Sequence, residues 1–335
     1  MQDKYEAQES GPRVEPVAFP DVRSVYYHRD FDGVVSAAMV LSIADSQPEL
    51  HPVDYHLRSG WPLARLTRPA AVADFLFHPD ATVWVDHHAD PFALPAWRDK
   101  ADHNALYVWE VHSPSCPPLI ARTFRFSRRL RRHFAPYIHW SSIIDSALYE
   151  SAEQAADLNN PFLLISEILA LPNTDPVANI IALEIAHRDV YGVLAHPTVG
   201  SLAHDVVQAQ TLLRKELLSH VSYDGLVAFL DQSFVDSRFL RYYPYLIYPD
   251  AAYVVGIYRH HGAFTVSVGA NPWKSQPYFN VGLLCRRHGG GGRKNVGGVP
   301  ASTADQAKEL AESITAELHG LAEGPIPVPS VSVAS

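Results

Sequence analysis

The chain of 335 residues has two cysteines, Cys116 and Cys285. So few thiols, so far apart, exclude a disulfide framework, a C-x-x-C zinc site and a dithiol redox centre, and both read as buried thiols. Positive charge is not in excess, since 27 Lys and Arg stand against 36 Asp and Glu, a formal net charge of −9. A protein that grips duplex DNA through a basic surface is therefore not expected, and a small or short anionic substrate fits better. No apolar run approaches the ~20 residues that cross a bilayer. The opening residues Met1-Gln2-Asp3-Lys4-Tyr5-Glu6 are charged where a secretion signal needs an apolar core, so the expected location is the cytoplasm, with no membrane partner. The Walker spacing G-x-x-x-x-G-K-[ST] is missing. Two His-Arg-Asp triplets, at 28–30 and 187–189, lack the L-x-x-x-N continuation of a kinase loop.

What the chain does have is three short apolar runs that each end in carboxylates or imidazoles. Ser24-Val25-Tyr26-Tyr27 leads into His28-Arg29-Asp30-Phe31-Asp32-Gly33, Ala70-Ala71-Val72-Ala73 into Asp74, and Thr82-Val83-Trp84-Val85 into Asp86-His87-His88. Ligands of open parallel sheets bind at the carboxyl ends of strands, so three such ends describe one site. Taken singly, each has a plainer reading: an Asx turn or helix N-cap at Asp30, a satisfied loop at the paired histidines. Together they place four acidic residues and three histidines within about sixty positions, which favours metal ligation. Carboxylates and imidazoles without thiolate suit a hard or borderline divalent ion, Mn²⁺ first, with Mg²⁺ or Co²⁺ as substitutes. Two such ions ~3.5–4 Å apart, sharing a carboxylate, acidify a bridging water and clamp phosphate oxygens, so phosphoryl hydrolysis is the chemistry to expect.

The rest of the chain alternates in the manner of an α/β protein, a parallel-sheet domain with helices on the sheet's faces. A helix is expected around Val34–Leu41, entered by a tight turn at Gly33, and residues 115–190 read as mostly helical. Leu202, Val206, Leu212, Leu213 and Leu217 recur at helical spacing over 202–219. A hairpin is expected from 252–258 and 263–268 with His260-His261-Gly262 at its turn, and a last helix over 304–321. The predicted divisions are an irregular lead-in 1–20, a catalytic domain 21–195, a helical connector 196–225, a smaller α/β substrate-binding domain 226–322 and a disordered tail 323–335. The run Gly289-Gly290-Gly291-Gly292-Arg293-Lys294-Asn295 reads either as a linker or as a backbone nest for a phosphate. Asn271-Pro272-Trp273 offers a polar substrate contact and an aromatic platform, or else a core tryptophan. Arg122, Arg125, Arg129 and Arg132, on one helix face, read as a solvated surface or as a rim that steers an anion.

Residues 22–145 resemble the catalytic domain of the DHH phosphoesterase superfamily, named for the triplet standing here at 86–88. His28-x-Asp30-x-Asp32-Gly33 matches its first motif, Asp74 its second, and Asp145 in Ser141-Ser142-Ile143-Ile144-Asp145 its fourth. Residues 289–298 resemble the glycine-rich signature of the DHH-associated substrate-binding domain, so the similarity spans most of 22–320. The resemblance implies one ion held by His28, Asp30 and Asp74 and a second by Asp32, Asp74, His87 and Asp145. Asp74 would bridge them and His88 would face the substrate phosphate as a donor or general acid. Gly290, Gly291, Gly292 and Arg293 would hold the substrate, with Arg293 standing where the family's signature usually has histidine. The single-chain plan is most similar to nanoRNases and phosphoadenosine phosphate phosphatases, which implies short oligonucleotides, nucleotide phosphates or cyclic dinucleotides as substrates. An exopolyphosphatase-like or pyrophosphatase-like hydrolase, a non-catalytic nucleotide-binding regulator, and a homodimer stay open.

Overall fold

The structure, a computed structural model, describes residues 15–101, 104, 106–237, 239–260, 262–274 and 279–323. Its described residues fall into two units, the first reaching Leu148 and resuming over Leu158–Val206, the second formed by Tyr149–Asp157 and the chain from Val207 onward. The first unit begins β1 (Ser24–His28), α1 (Phe31–Ile43), β2 (Glu49–Val53), β3 (Ala70–Ala73), β4 (Val83–Asp86), the short α2 (Arg98–Ala101) and β5 (Tyr107–Trp109). Helices α3 (Cys116–Thr123) and α4 (Arg128–Asp145) follow; α5 (Ala152–Ala155) belongs to the second unit. Then come α6 (Pro161–Leu169), α7 (Asp175–His187), α8 (Val190–Leu194) and α9 (Pro197–Leu217), the last running from the first unit into the second.

The five strands pair in parallel in the order β2-β1-β3-β4-β5. Chain direction across the sheet therefore reverses at β1, with β2 on one side and β3 on the other, and the crevice at such a switch point is where α/β proteins bind ligands. Period-2 alternation gives the sheet two apolar faces. Val25, Tyr27, Ala71, Ala73, Val83 and Val85 join the core built on α1, eleven of whose thirteen residues are buried. A helix so enclosed is apolar all round because α3, α4 and α7 surround it, and truncating its Met39 to alanine is expected to cost about 2–5 kcal/mol. Ala70, Val72 and Trp84 face the opposite way, into a cluster with Trp61, Phe75, Phe77 and Trp97.

That second face departs from the expected helical cover. The nine residues 74–82 between β3 and β4 are too few for a helical crossover, and Pro62, Pro69 and Pro79 interrupt the neighbouring segments. Aromatic side chains fill the space instead, pinned by Trp61 Nε1 donating to the Leu76 and Phe77 carbonyls (both 3.1 Å) and Trp84 Nε1 donating to Phe75 (2.9 Å).

The second unit holds β6 (Val221–Tyr223), β7 (Val227–Asp236), α10 (Tyr243–Ile247), β8 (Tyr253–His260), β9 (Ala263–Ala270), α11 (Val281–Arg287), β10 (Gly291–Gly292), β11 (Val296–Ala301) and α12 (Ala304–Glu323). Its sheet runs β10-β11-β9-β8-β7-β6, antiparallel except between β7 and β8. Ala307, Ala311, Ile314 and Leu318 form the buried stripe of α12, at helical spacing, against Ile257, Val266 and Val268. The β8–β9 hairpin forms as expected, although His261 at its turn lies outside the described residues, as do 324–335 of the expected tail. Residues 149–157, counted above with the catalytic domain, pack in the second unit: Ala152 clusters with Ala228, Tyr245, Ala251 and Val254, and Trp273 Nε1 donates to the Tyr149 carbonyl (2.7 Å). The lead-in is also less irregular than composition implies, since Val17 bridges to Phe124 and Phe19 packs on the same ring. No helix among the described residues is long and apolar enough to cross a membrane.

Candidate metal centre

β1, β3 and β4 deliver their terminal residues to one place beside the switch point. His28 closes β1, and Asp30 caps α1, its Oδ1 accepting from the Gly33 amide (2.9 Å) while Oδ2 stands 3.0 Å from His28 Nδ1. The plain N-cap reading of Asp30 is thus true of one oxygen and leaves the other for the site. Asp32, in the first turn of α1, is buried; Oδ1 accepts from Ser141 Oγ (2.9 Å) and Oδ2 from the Cys116 amide (3.0 Å). Gly33 is needed for a different reason from the tight turn expected of it. Its backbone lies inside α1, and a Cβ there would meet the His28 carbonyl oxygen at 2.1 Å, so its bare Cα lets helix and strand end approach closely.

Asp74 is fully buried, with φ 56 and its amide donating to the Val85 carbonyl (2.8 Å). Its Oδ2 lies 3.7 Å from His28 Nδ1, and its Oδ1 lies 3.5 Å from His87 Nε2 and 3.7 Å from His88 Nδ1. The Nδ1 of His87 is 3.1 Å from the Ser113 carbonyl, which can only accept, so Nδ1 donates there and Nε2 is the ring nitrogen turned to the carboxylates. That Nε2 is 3.3 Å from Asp32 Oδ2 and 3.5 Å from Asp145 Oδ2. Asp145 ends α4 one turn beyond Ser141, which puts both on the same side of the helix. His88 is held differently, through Nδ1 at 2.8 Å from the buried carboxylate of Asp86.

Three ligand sets result, each with its atoms within 4.8 Å of one another: His28, Asp30 and Asp74; Asp32, His87 and Asp145; Asp74, His87 and His88. His28 Nδ1, both Asp74 oxygens and His87 Nε2 are buried without a hydrogen-bond partner. Each such orphan is costly, by roughly 1–3 kcal/mol. Lone pairs of carboxylates and imidazoles converging on shared points are what divalent cations satisfy, so these residues fit the ions that the sequence implies.

Electrostatics carries the same sign. Burial would raise Asp74, but the His28 and His87 imidazoles outweigh it and hold the carboxyl well below the usual range. Burial and then repulsion from Asp74 push Asp32 well up, and burial with Asp30 and Asp74 pushes Asp145 up to about 6. Burial works against protonation of the histidines, yet Asp32 and Asp74 push His87 up to about 12, and Asp86 with Asp74 pushes His88 up to about 9. A cluster that draws protons onto its imidazoles in this way is short of positive charge.

Three further residues, Arg29, Asp54 and Tyr55, complete the surroundings and match no motif position. Arg29 reaches Asp54 Oδ2 (3.1 Å), Asp175 Oδ1 (3.1 Å) and the Leu171 carbonyl (3.0 Å), tying the first motif to α7. Asp54 Oδ1 in turn stands 4.0 Å from His28 Nε2. Tyr55 lays its ring against His28 and His88, and Asp86 orients His88. The spacing between β2 and the first motif holds no sign of this, because the contacts arise only from strand pairing.

Of the residues expected to bind substrate in the second unit, Asn271 is buried and Arg293 is exposed. Asn271 is 2 % exposed; its Nδ2 donates to the Ala251 carbonyl (2.8 Å) and its Oδ1 accepts from the Trp273 amide (2.9 Å), so it braces a turn. The glycine run is closely packed and is not a linker. A Cβ at Gly290 would meet the Gly298 oxygen at 2.1 Å and one at Gly292 the Val296 oxygen at 2.3 Å, while the amides of Gly290 and Arg293 already donate to Cys285 and Val296 (both 2.8 Å). Gly291 pairs with Gly298 in the ladder, and the Arg293 side chain is exposed with no partner among the described residues. The arginines do not share one helix face, since residues 124–127 separate α3 from α4; Arg122 pairs with Glu110, and Arg125 Nε donates to the Pro16 carbonyl (2.8 Å).

No family model and no curated protein sequence matches the chain. Solved structures do. A pGpG-specific phosphodiesterase, PggH from Vibrio cholerae, superposes with a TM-score of 0.68 at 15 % identity, over 89 % of this chain and 99 % of that one. The chain has the DHH phosphoesterase fold. RecJ from Thermus thermophilus, in complex with Mn²⁺, shares the DHH fold with a TM-score of 0.50 at 14 % identity, over 91 % of this chain and 52 % of the longer one. Within that fold, the residues matching the DHH motifs are the ones whose side chains converge at the switch point.

Proposed function

We propose that the protein is a divalent-metal-dependent phosphoesterase acting on short oligonucleotides, nucleotide phosphates or cyclic dinucleotides. The observation that carries this reading is the convergence of unpartnered, buried ligand atoms from His28, Asp74 and His87. In it His28, Asp30 and Asp74 hold one ion, and Asp32, Asp74, His87 and Asp145 the other. Bound there, two such cations would supply Lewis-acid charge to a phosphoryl group and lower the pKa of water. The Ser113 carbonyl keeps His87 in the tautomer that ligates through Nε2. Asp86 fixes His88 through Nδ1 and leaves Nε2 to donate to the substrate phosphate. Arg293 holds a terminal or backbone phosphate as a fixed cation, a role its exposed and unpaired side chain allows. The DHH fold, a neighbour specific for pGpG and a neighbour that binds Mn²⁺ support the substrate class and the metal.

The test is a hydrolysis screen with Mn²⁺, Mg²⁺ and Co²⁺ over linear dinucleotides, cyclic dinucleotides, phosphoadenosine phosphate and polyphosphate. Turnover of a phosphoester, abolished by chelation and restored by metal, is expected. Preference for polyphosphate would instead make the protein a phosphoanhydride hydrolase, and metal binding without any turnover would make it a regulator.

A further inference from the structure

Tyr55 belongs to no DHH motif, yet it sits in the centre. β2 ends at Val53, and Asp54 caps the single 3-10 turn that follows, its Oδ1 accepting from the Tyr55 amide (2.6 Å). The turn sets the Tyr55 ring at the carboxyl edge of the sheet, its centroid 4.9 Å from His28, 5.4 Å from His88 and 5.3 Å from Phe75. Three rings on three sides leave the phenol little freedom. Its oxygen is buried and has no hydrogen-bond partner.

Packing explains the ring and leaves the hydroxyl unexplained. A phenylalanine would fill the same space without a buried, unpaired O–H, which is destabilising as it stands. The carboxylates of Asp86, Asp74 and Asp30 exert the largest charge effects on the phenol, but none accepts its proton, and Asp86 Oδ2 and both Asp74 oxygens are themselves unpartnered. A buried donor thus lies against the imidazoles of His28 and His88 without bonding to any carboxylate of the centre. What completes such an arrangement is an acceptor brought in from outside. Carboxylates repel a phosphate, and a neutral donor among them offsets part of that repulsion without competing for a cation.

We propose that the Tyr55 hydroxyl donates a hydrogen bond to a phosphoryl oxygen of the substrate, alongside His88, which makes Tyr55 a catalytic residue of this centre. The O–H bond stays intact and no proton is transferred. The inference rests on the phosphoester reading above and adds a substrate contact that no motif contains.

Full-length wild type and Tyr55→Phe are compared in three measurements: Mn²⁺ affinity by calorimetry, inorganic phosphate affinity of the Mn²⁺-loaded protein, and kcat/KM on a linear dinucleotide. The phenylalanine keeps the ring and removes a buried, unpaired O–H, so Mn²⁺ affinity should not change and Tm should hold or rise. Phosphate affinity should fall about tenfold and kcat/KM about 10–100-fold, the range for a hydrogen bond to a charged group. Unaltered phosphate affinity and kcat/KM would overturn the proposal and leave Tyr55 as packing. Parallel loss of Mn²⁺ affinity would also overturn it, by placing the hydroxyl on the metal side. Wild type that turns over no phosphoester, yet binds phosphate in a Tyr55-dependent way, would refute the proposed function while upholding this contact.

Discussion

Asp74 combines two demands that few side chains meet. Its backbone is left-handed at φ 56, a region that aspartate and asparagine tolerate better than other non-glycine residues, and its two oxygens face different imidazoles. Asp74→Asn can therefore keep the backbone while replacing one ligand oxygen by an amide donor. Activity should drop below about 1 % with Tm nearly unchanged, because both ions lose a shared ligand; near-normal turnover would refute the bridging role. The two adjacent histidines should part company. His87→Ala is expected to reduce metal content, whereas His88→Ala, whose Nδ1 already belongs to Asp86, should retain metal and lose rate, and metal analysis of both variants decides it. Much of this was legible in sequence: the seven candidate metal and phosphate residues, from His28 to Asp145, come together in the first unit. Asp54 and Tyr55 were not, since a carboxylate and a phenol after Glu-Leu-His-Pro-Val carry no pattern of their own.

At the level of elements, apolar runs were readable where strands are buried on both faces and unreadable where they are not. β1, β3 and β4 could be recognised from Val, Ala and aromatic residues alone. β2 contains Glu49, His51 and Pro52 and occupies the sheet edge, where proline is tolerated, and β5 is three residues long; neither shows enough periodicity to be seen. Glycines misled in the opposite sense, suggesting freedom where the structure uses contact. Gly33→Ala should push α1 away from the end of β1, costing about 1–3 kcal/mol and lowering Tm and metal affinity together. In the second unit two neighbouring substitutions should diverge. Gly290→Ala drives a methyl into the Gly298 carbonyl and should destabilise the fold, whereas Arg293→Ala should leave Tm unchanged and raise KM, lowering kcat/KM about 10–100-fold, with Arg293→Lys recovering part. Equal Tm loss in both would refute the distinction.

Over the whole molecule, a chain of net charge −9 gathers Arg128, Arg129 and Arg132, exposed and without ion pairs among the described residues, on the first half of α4. If they draw an anionic substrate through an otherwise repulsive field, replacing all three by alanine should lower kcat/KM about three- to tenfold at low salt, and the difference should vanish near 1 M, where the screening length is about 3 Å. A salt-independent deficit would mean another role. The division into units has a consequence for synthesis. Residues 149–157 pack in the second unit, so the chain crosses between units at 148, again at 157 and again at 206. Ala152 leaves the ribosome about a hundred residues before its partners Ala251 and Val254, and at 5–20 residues per second it waits roughly 5–20 s for them. During that interval the nascent first unit carries an unsatisfied apolar segment between α4 and α6. Translation speed across the following hundred codons therefore sets how long that segment is open to chaperones and to wrong partners.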